Sequence, residues 1–271
     1  MATVRVERSL DGQVVTILLH RSHARNAVDR KMASELHAAF LDFEHDAHAK
    51  VALLHGVGGV FCAGADLKAI SETTSSSGTS SSGNRVNEPS LTDGLQAGPM
   101  GPTRLCLSKP VIAAIEGHAV AGGLELACWC DLRICDDSVV FGVFCRRWGV
   151  PLVDGGTVRL PRLIEQSRAL DMILTGRAVD AKEALAMGLA NRVVLRGTAR
   201  QAAEGLAHDM ARFPQACMRM DRQSALEQWG LPEQTAIHRE YVLGRTVLAE
   251  GVKGAARFRD GAGRGGSFAN L

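Results

Sequence analysis

The amino-acid sequence predicts an α/β fold that is followed by a helical C-terminal region. Strand-like apolar runs alternate with segments of helical periodicity through residues 1–196, whereas residues 197–271 contain helical patterns alone. The chain has 271 residues, of which 46% are hydrophobic, so it can bury a large core. We therefore expect an α/β core over 1–196 and a helical region over 197–271.

Predicted elements follow one another closely in the core. Asp11-Gly12 between two apolar segments is typical of a hairpin, and Asp29 is placed to cap an amphipathic helix. A glycine turn at Phe61–Leu67 leads into another helix. The predicted strands are Val4–Glu7, Val14–His20, Val51–Val57, Val111–Glu116, Leu132–Cys135, Val139–Phe141 and Arg192–Leu195. Three helices are predicted later in the core: one that starts at Gly155, one over Glu165–Thr175 and one over Ala181–Met187.

Two regions depart from the alternation of strands and helices. The sequence between Ser71 and Gly98 is of low complexity, polar and rich in serine and glycine. A neutral insertion and a lid over the pocket both remain open for this segment. From Thr198 to about Gly251 the pattern is helical, with breaks at Pro214 and Pro232.

Composition and charge exclude several classes of function. The formal net charge is only +2, so nothing indicates nucleic-acid binding. The sequence has no apolar run of about 20 residues and no signal-peptide core near its start, so we expect no membrane partner. The seven cysteines lack paired spacings, which favours reduced thiols and a cytoplasmic location.

The segment Lys109–Asp131 carries the strongest chemical signal in the sequence. Its predicted strand leads through a turn to Gly122-Gly123, which open a short apolar helix with one carboxylate, Glu125. Adjacent glycines at a helix N-terminus expose backbone N–H groups and let a ligand approach closely. The pattern favours stabilisation of an anion or oxyanion beside an acid/base. Close packing of helix on strand is the alternative explanation for the glycines.

Five segments in order carry a resemblance to a known family. They are HRSHARNA at 20–27, FCAGADL at 61–67, KPVIAAIEGHAVAGGLELACWCD at 109–131, the 141–163 segment with GGT and RLPR, and TGRAVDAKEALAMGLAN at 175–191. Together they resemble the crotonase (enoyl-CoA hydratase/isomerase) superfamily over nearly the whole chain.

The resemblance implies a fold, an assembly and a ligand. The implied fold is a crotonase-type spiral of ββα units with a C-terminal helical oligomerisation region, assembled as a homotrimer or a dimer of trimers. The implied ligand is an acyl-CoA thioester, as in fatty acid and lipid metabolism. No cofactor is expected, because coenzyme A enters as part of the substrate.

The resemblance also implies roles for individual residues. The backbone N–H groups of Ala65 and Gly122 correspond to the family's oxyanion hole, and Glu125 corresponds to one of two catalytic glutamates. Residues implied to contact substrate or CoA are Ala24, Arg25, Ala27, Ala63, Asp66 and Leu67.

The sequence departs from the family pattern at the second glutamate, where Cys145 stands instead. A thiol is a poorly matched acid at neutral pH, and a small buried hydrophobic residue is the alternative interpretation of Cys145. Asp154 is a candidate to replace the missing carboxylate, with an N-cap on the helix that starts at Gly155 as its alternative. Catalytic candidates are therefore Glu125, Asp154 and Cys145.

The expected function is that of an acyl-CoA-processing lyase that adds water reversibly to a 2-enoyl-CoA. Because one glutamate is missing, two other functions remain open. One is isomerisation, decarboxylation or racemisation of an acyl-CoA by a single carboxylate, and the other is acyl-CoA binding without turnover.

Overall fold

The computed structural model describes residues 2–72, 84 and 86–263 and divides into two compact units, one up to Ala207 and one from His208. Part of the low-complexity segment, residues 73–83 and 85, lies outside the described residues. The strands are β1 (Val4–Ser9), β2 (Val14–Leu19), β3 (Val51–Gly56), β4 (Val111–Ile115), β5 (His118–Val120), β6 (Leu132–Asp136), β7 (Val140–Gly142), β8 (Ala178–Asp180) and β9 (Arg192–Val194).

Two sheets organise the first unit. The larger sheet has six strands in the order β1-β2-β3-β4-β6-β9, and only β1 runs antiparallel to its neighbour. The smaller sheet has the order β5-β7-β8, with β5 parallel to β7 and β7 antiparallel to β8. Strands β2, β3 and β4 are buried at every position. Such continuous apolar runs are typical of parallel strands that are covered on both faces.

The helices of the first unit follow the strands closely along the chain. They are α1 (Arg30–His45), α2 (Leu67–Glu72), α3 (Gly122–Trp129), α4 (Gly156–Ile164), α5 (Gln166–Thr175), α6 (Ala181–Ala186) and α7 (Ala199–Arg212), which ends in the second unit. Asp29 caps α1 as predicted, because its side chain accepts a hydrogen bond from Met32 N at 2.8 Å. Single 3-10 turns lie at Ser22–Ala24, Pro102–Arg104 and Phe144–Trp148.

The second unit consists of helices α8 (Gln215–Glu227), α9 (Glu233–Arg245) and α10 (Leu248–Arg259). The breaks predicted at Pro214 and Pro232 are confirmed, since each proline immediately precedes a helix. A further break falls between α9 and α10, which the sequence pattern did not indicate. Among the described helices none is long and apolar enough to cross a membrane. The role of this region in oligomerisation stays a prediction.

The predicted α/β class and the longer core elements are confirmed. The three-residue strands β5 and β8 were not predicted, whereas β7 and β9, of the same length, were. A segment this short carries little periodicity, so its prediction depends on the residues around it. Strand β5 leads directly into α3 and thus sets where that helix begins.

A buried arginine ties β6 to the segment that leads into β9. Arg133 is 2% exposed, and its guanidinium donates to the backbone carbonyls of Leu189 (2.6 Å) and Cys130 (2.8 Å) and to the side-chain oxygen of Asn191 (3.1 Å). The same Asn191 oxygen accepts from Arg133 N at 2.8 Å. The arginine therefore supplies hydrogen-bond donors to the backbone carbonyls of two buried residues, Leu189 and Cys130.

Arg133→Met is expected to lower the free energy of unfolding by about 2 to 4 kcal/mol, because it leaves buried carbonyls without donors. Arg196→Met is the matched control, since the Arg196 side chain is 76% exposed and pairs loosely with Asp137. We expect the control to change stability by less than about 0.5 kcal/mol. Urea denaturation of both variants measures the difference, and equal losses would contradict the role assigned to Arg133.

Candidate active site

Two backbone segments from distant parts of the sequence run side by side at the edge of the core. Cys62 N donates to the carbonyl of His118 at 2.9 Å, and Val120 N donates to the carbonyl of Cys62 at 3.1 Å. This short parallel pairing carries the chain after Cys62 and the chain after Val120 to the same place. It thereby brings Ala65 and Gly122, which are far apart in sequence, into one site.

The amide groups of Ala65 and Gly122 are left without partners by the local geometry. Gly64 and Asp66 use their backbone groups to pair with Val28, at 2.8 and 2.9 Å, which leaves the N–H between them unbonded. Gly122 is the first residue of α3, where a backbone N–H has no intrahelical acceptor. Within the described part of the chain neither amide donates a hydrogen bond. A Cβ atom on Gly64 would lie 3.0 Å from Gly122 N, so the two segments are in direct contact.

Positive φ angles precede both free amides. Gly64 has φ +97, and Ala121 has φ 53 and ψ −124, a conformation that favours glycine. Ala121 N donates to the carbonyl of Gly142 at 2.9 Å, which holds the strained residue in place. The strain at Ala121 directs the Gly122 N–H out of the chain path, and backbone strain of this kind is concentrated at functional sites.

Gly123 is required by close packing. A Cβ atom there would clash with the backbone carbonyl of Cys62. Thus the adjacent glycines serve both purposes considered from the sequence: Gly123 permits close approach of helix to chain, and Gly122 presents an N–H group.

Glu125 lies one turn into α3 and is 3% exposed. Its Oε1 atom accepts hydrogen bonds from Asp154 N at 2.9 Å and Gly156 N at 2.8 Å, at the start of α4. Burial, with a smaller contribution from the charge of Asp154, raises the pKa of Glu125 to about 7. A carboxyl group with this pKa can accept and return a proton at neutral pH.

Asp154 is not the N-cap of the following helix, so that alternative was wrong. Helix α4 begins at Gly156 with Gly155 as its N-cap residue, and no side chain caps it from that position. The Asp154 carboxylate instead accepts hydrogen bonds from Met100 N (2.9 Å) and the Thr103 hydroxyl. Burial raises its pKa, which the hydrogen bond from Thr103 opposes. Its role as a substitute acid stays a prediction.

Cys145 lies in the Phe144–Trp148 turn and is 7% exposed. Burial raises the pKa of its thiol, and the nearby charge of Glu125 raises it further. The thiol therefore stays protonated at neutral pH. Both interpretations of Cys145 are compatible with this position, although a raised pKa makes the thiol a weaker acid.

The residues implied to contact CoA lie on two adjacent segments. The chain at 24–28 pairs with the chain at 63–66, and Ala63 N donates to the carbonyl of Arg25 at 3.1 Å. Arg25 and Leu67 are exposed, and Ala24, Ala27 and Ala63 are partly exposed. Asp66 is already engaged, since its carboxylate pairs with Arg21 at 3.0 Å and accepts from Lys68 N at 3.1 Å. The structure thus brings all six residues together, while their contact with CoA stays a prediction.

Sequence reasoning missed three residues around the carboxylates. Met100, Thr103 and Arg159 contact Asp154 or its backbone, with Arg159 donating to the carbonyls of Asp154 (2.9 Å) and Thr103 (2.8 Å). Only Arg159 lay in a segment that carried the family resemblance. Across the described ranges no cluster of three His, Cys, Asp or Glu side chains is arranged to hold a metal ion.

Comparison with known proteins gives consistent matches. A family model described as enoyl-CoA hydratase/isomerase matches residues 10–259. The chain is 34% identical over 261 residues to enoyl-CoA hydratase EchA19 of Mycobacterium tuberculosis, covering 92% of this chain and 91% of the relative. It is 37% identical over 202 residues to carnitinyl-CoA dehydratase of Proteus mirabilis, covering 73% of this chain and 72% of the relative. A crystal structure of enoyl-CoA hydratase from Mycobacterium tuberculosis H37Rv matches with a TM-score of 0.83 and 30% identity over 96% of both chains.

Ala121→Gly is expected to raise the free energy of unfolding by about 1 kcal/mol, because glycine adopts the positive φ of this position without strain. The neighbouring Ala119→Gly is the control. Ala119 is fully buried in β5 with an ordinary backbone conformation, so glycine there is expected to destabilise by about 1 kcal/mol. Urea midpoints measure both, and a loss of stability in Ala121→Gly would refute the strain at this residue.

Glu125→Gln is expected to change how stability depends on pH. The folded pKa of Glu125 is about 7, above its ordinary 4.5, so this group stabilises the fold below the lower value and loses that contribution as pH rises towards the upper one. Glutamine cannot titrate but can still accept both backbone hydrogen bonds. The free energy of unfolding of the variant, relative to that of the unmodified protein, should therefore rise by about 2 to 3 kcal/mol between pH 5 and pH 8.

The exposed substitution Glu240→Gln is the control for this measurement. It is expected to change the free energy of unfolding by less than about 0.5 kcal/mol at either pH. If the stability of Glu125→Gln runs parallel to that of the unmodified protein from pH 5 to pH 8, the raised pKa of Glu125 is wrong.

Proposed function

Because this chain belongs to the enoyl-CoA hydratase/isomerase family, we propose that it adds water reversibly across the double bond of a 2-enoyl-CoA thioester. The observation that carries the proposal is the arrangement of one buried carboxylate, Glu125, a single helical turn after a free N–H donor, Gly122, with a second donor at Ala65. Relatives named as hydratases and as dehydratases support the same reaction in its two directions.

The two amides are proposed to hold the thioester oxygen. When a nucleophile adds to Cβ, the electrons of the double bond move to that oxygen and form an enolate. Preorganised N–H donors stabilise the new charge without having to reorient, and the N-terminus of α3 adds its favourable dipole. Each such donor contributes roughly 3 to 4 kcal/mol to catalysis in comparable sites.

Glu125 is proposed to act first as base and then as acid. Its ionised carboxylate takes a proton from water as the water oxygen bonds to Cβ, and the resulting carboxylic acid then gives that proton to Cα. The oxygen–Cβ and hydrogen–Cα bonds form, the π bond is lost, and Glu125 returns to its starting state. One carboxylate is sufficient because it donates the same proton that it accepted, and a pKa near 7 suits both steps.

Cys145 is proposed to shape the site without supplying a proton. Its thiol is buried and its pKa is raised, so it is a weaker acid than the carboxyl group of Glu125. A neutral thiol at this position also avoids a second negative charge beside Glu125.

The CoA portion is proposed to lie along the paired segments 24–28 and 63–67. Arg25 is exposed there and carries a permanent positive charge that suits a phosphate group. We propose that this surface binds the CoA moiety while the thioester reaches Ala65 and Gly122.

A second candidate is isomerisation of a 3-enoyl-CoA to a 2-enoyl-CoA. A single buried carboxylate is compatible with it, since Glu125 can take a proton from Cα and return it to Cγ. The two reactions have opposite spectroscopic signs. Hydration removes the absorbance of the conjugated thioester, whereas isomerisation creates it.

Glu125→Gln is expected to lower kcat/KM for 2-enoyl-CoAs by about 10²- to 10⁴-fold, because the amide cannot accept a proton. In the unmodified protein kcat/KM should fall as pH drops through about 7, where Glu125 becomes protonated. Crotonyl-CoA and longer 2-enoyl-CoAs serve as substrates, and loss of conjugated-thioester absorbance measures turnover.

Cys145→Ala is the comparison variant in the same assay, and it is expected to lower kcat/KM by less than about tenfold. Unchanged turnover in Glu125→Gln would refute the role of Glu125. Absorbance gain from 3-enoyl-CoA without hydration of 2-enoyl-CoA would favour the isomerase, and calorimetric binding without either reaction would favour a binding protein.

A further inference from the structure

Asp154 is a buried carboxylate that is hydrogen-bonded to a segment about fifty residues earlier in the chain. It is 3% exposed, and its Oδ1 atom accepts hydrogen bonds from Met100 N at 2.9 Å and from the hydroxyl of Thr103. Arg159 closes the ring, because its guanidinium donates to the backbone carbonyls of Asp154 and Thr103 at 2.9 and 2.8 Å. The side chain of Asp154 thus holds the segment from Met100 to Thr103.

This segment forms a wall against the N–H donor at Gly122. Met100 is 1% exposed, and a Cβ atom on Gly122 would lie only 2.7 Å from its sulfur. Because buried side chains are close-packed, a shift of Met100 is transmitted to the backbone at Gly122. The carboxylate of Asp154 therefore reaches the oxyanion donor through one hydrogen bond and one packing contact.

The backbone of Asp154 reaches the base directly. Its N–H donates to Glu125 Oε1 at 2.9 Å, beside the 2.8 Å hydrogen bond from Gly156 N. These two bonds fix one oxygen of Glu125, and no further hydrogen bond to this carboxylate comes from the rest of the described chain. Asp154 is consequently linked to the N–H donor Gly122 by its side chain, through Met100, and to the base Glu125 by its main chain.

Charged and titratable groups face Glu125 from several elements. They are Asp154 just before α4, Arg159 within α4, Cys145 from the Phe144–Trp148 turn and Cys128 from α3 itself. Arg104 faces Asp154 from the Pro102–Arg104 turn. Of these groups, Asp154 contributes the negative charge that opposes ionisation of Glu125.

We infer that Asp154 is a positioning residue that sets the spacing between base and oxyanion donor, with its carboxylate holding Met100 against Gly122 and its amide holding Glu125. The inference rests on the proposed function and deepens it. It assigns Asp154 a task that needs no transfer of its own proton, and it adds Thr103 and Met100 to the residues on which the site depends.

Two pairs of variants separate positioning from proton donation. Asp154→Asn keeps an oxygen that can accept from Met100 N and the Thr103 hydroxyl, whereas Asp154→Ala removes it. Thr103→Ser keeps the hydroxyl, whereas Thr103→Val removes it at nearly the same volume. Thr103 has no acid chemistry of its own at neutral pH, so its variants test the network alone.

Two measurements are made on each variant. The first is the absorbance of a bound, conjugated arylacryloyl-CoA, which shifts to longer wavelength when its thioester carbonyl accepts hydrogen bonds and requires no turnover. The second is the pH profile of kcat/KM for hydration of 2-enoyl-CoA.

Asp154→Ala and Thr103→Val are expected to reduce the wavelength shift and to lower kcat on the order of 100-fold, as displacement of a catalytic group does. Asp154→Asn and Thr103→Ser should show a much smaller decrease in both the wavelength shift and kcat. Asp154→Asn should also move the acid limb of the profile to lower pH, because a neutral amide no longer opposes ionisation of Glu125.

A different pattern would overturn the inference. The inference is wrong, and Asp154 is a proton donor, if three results occur together. Asp154→Asn loses as much turnover as Asp154→Ala, and these two variants retain the full wavelength shift. Thr103→Val has the same turnover and wavelength shift as the unmodified protein. An absent shift in the unmodified protein would also overturn it. Failure of the proposed function is recognised separately by unchanged turnover in Glu125→Gln, which leaves the absorbance test of Asp154 intact.

Discussion

The close approach of two backbone segments, one around Cys62 and the other around Val120, organises the whole site. Hydrogen bonds between their main chains bring them together, and Gly64 and Gly123 leave the space that the contact requires. A side chain at Gly123 would meet a carbonyl oxygen, so this approach is a steric constraint as well as a bonding pattern. From it follow the convergence of two free N–H groups and the position of helix α3.

The contact between Glu125 and the start of α4 builds on that arrangement. The buried carboxylate accepts hydrogen bonds from two backbone N–H groups. These hydrogen bonds favour its charged form, whereas desolvation opposes that form. Burial prevails and places the pKa near neutrality. The same burial that costs stability at high pH suits Glu125 to proton transfer, which is a common relation between stability and function in enzymes.

The sequence predicted much of the site because local patterns encode it. The strand, turn and helix of 111–129 can be recognised from apolar runs and adjacent glycines, and the resemblance named Ala65 as a second candidate donor. The N-cap interpretation of Asp154 failed for a tertiary reason. Its carboxylate accepts hydrogen bonds from Met100 and Thr103, which lie some fifty residues earlier in the chain. No local sequence pattern predicts such a contact.

The sequence by itself determined the α/β class and the family and named Glu125 as a candidate acid/base, since periodicity, turn residues and ordered motifs are local properties. It also revealed that Cys145 stands where a second glutamate is expected. Only the tertiary structure decided how these groups are tuned. The pKa of Glu125 depends on desolvation and on the charge of Asp154, and the strain at Ala121 depends on a hydrogen bond to Gly142. Such effects arise from contacts between distant segments, and they exist only once the chain has folded.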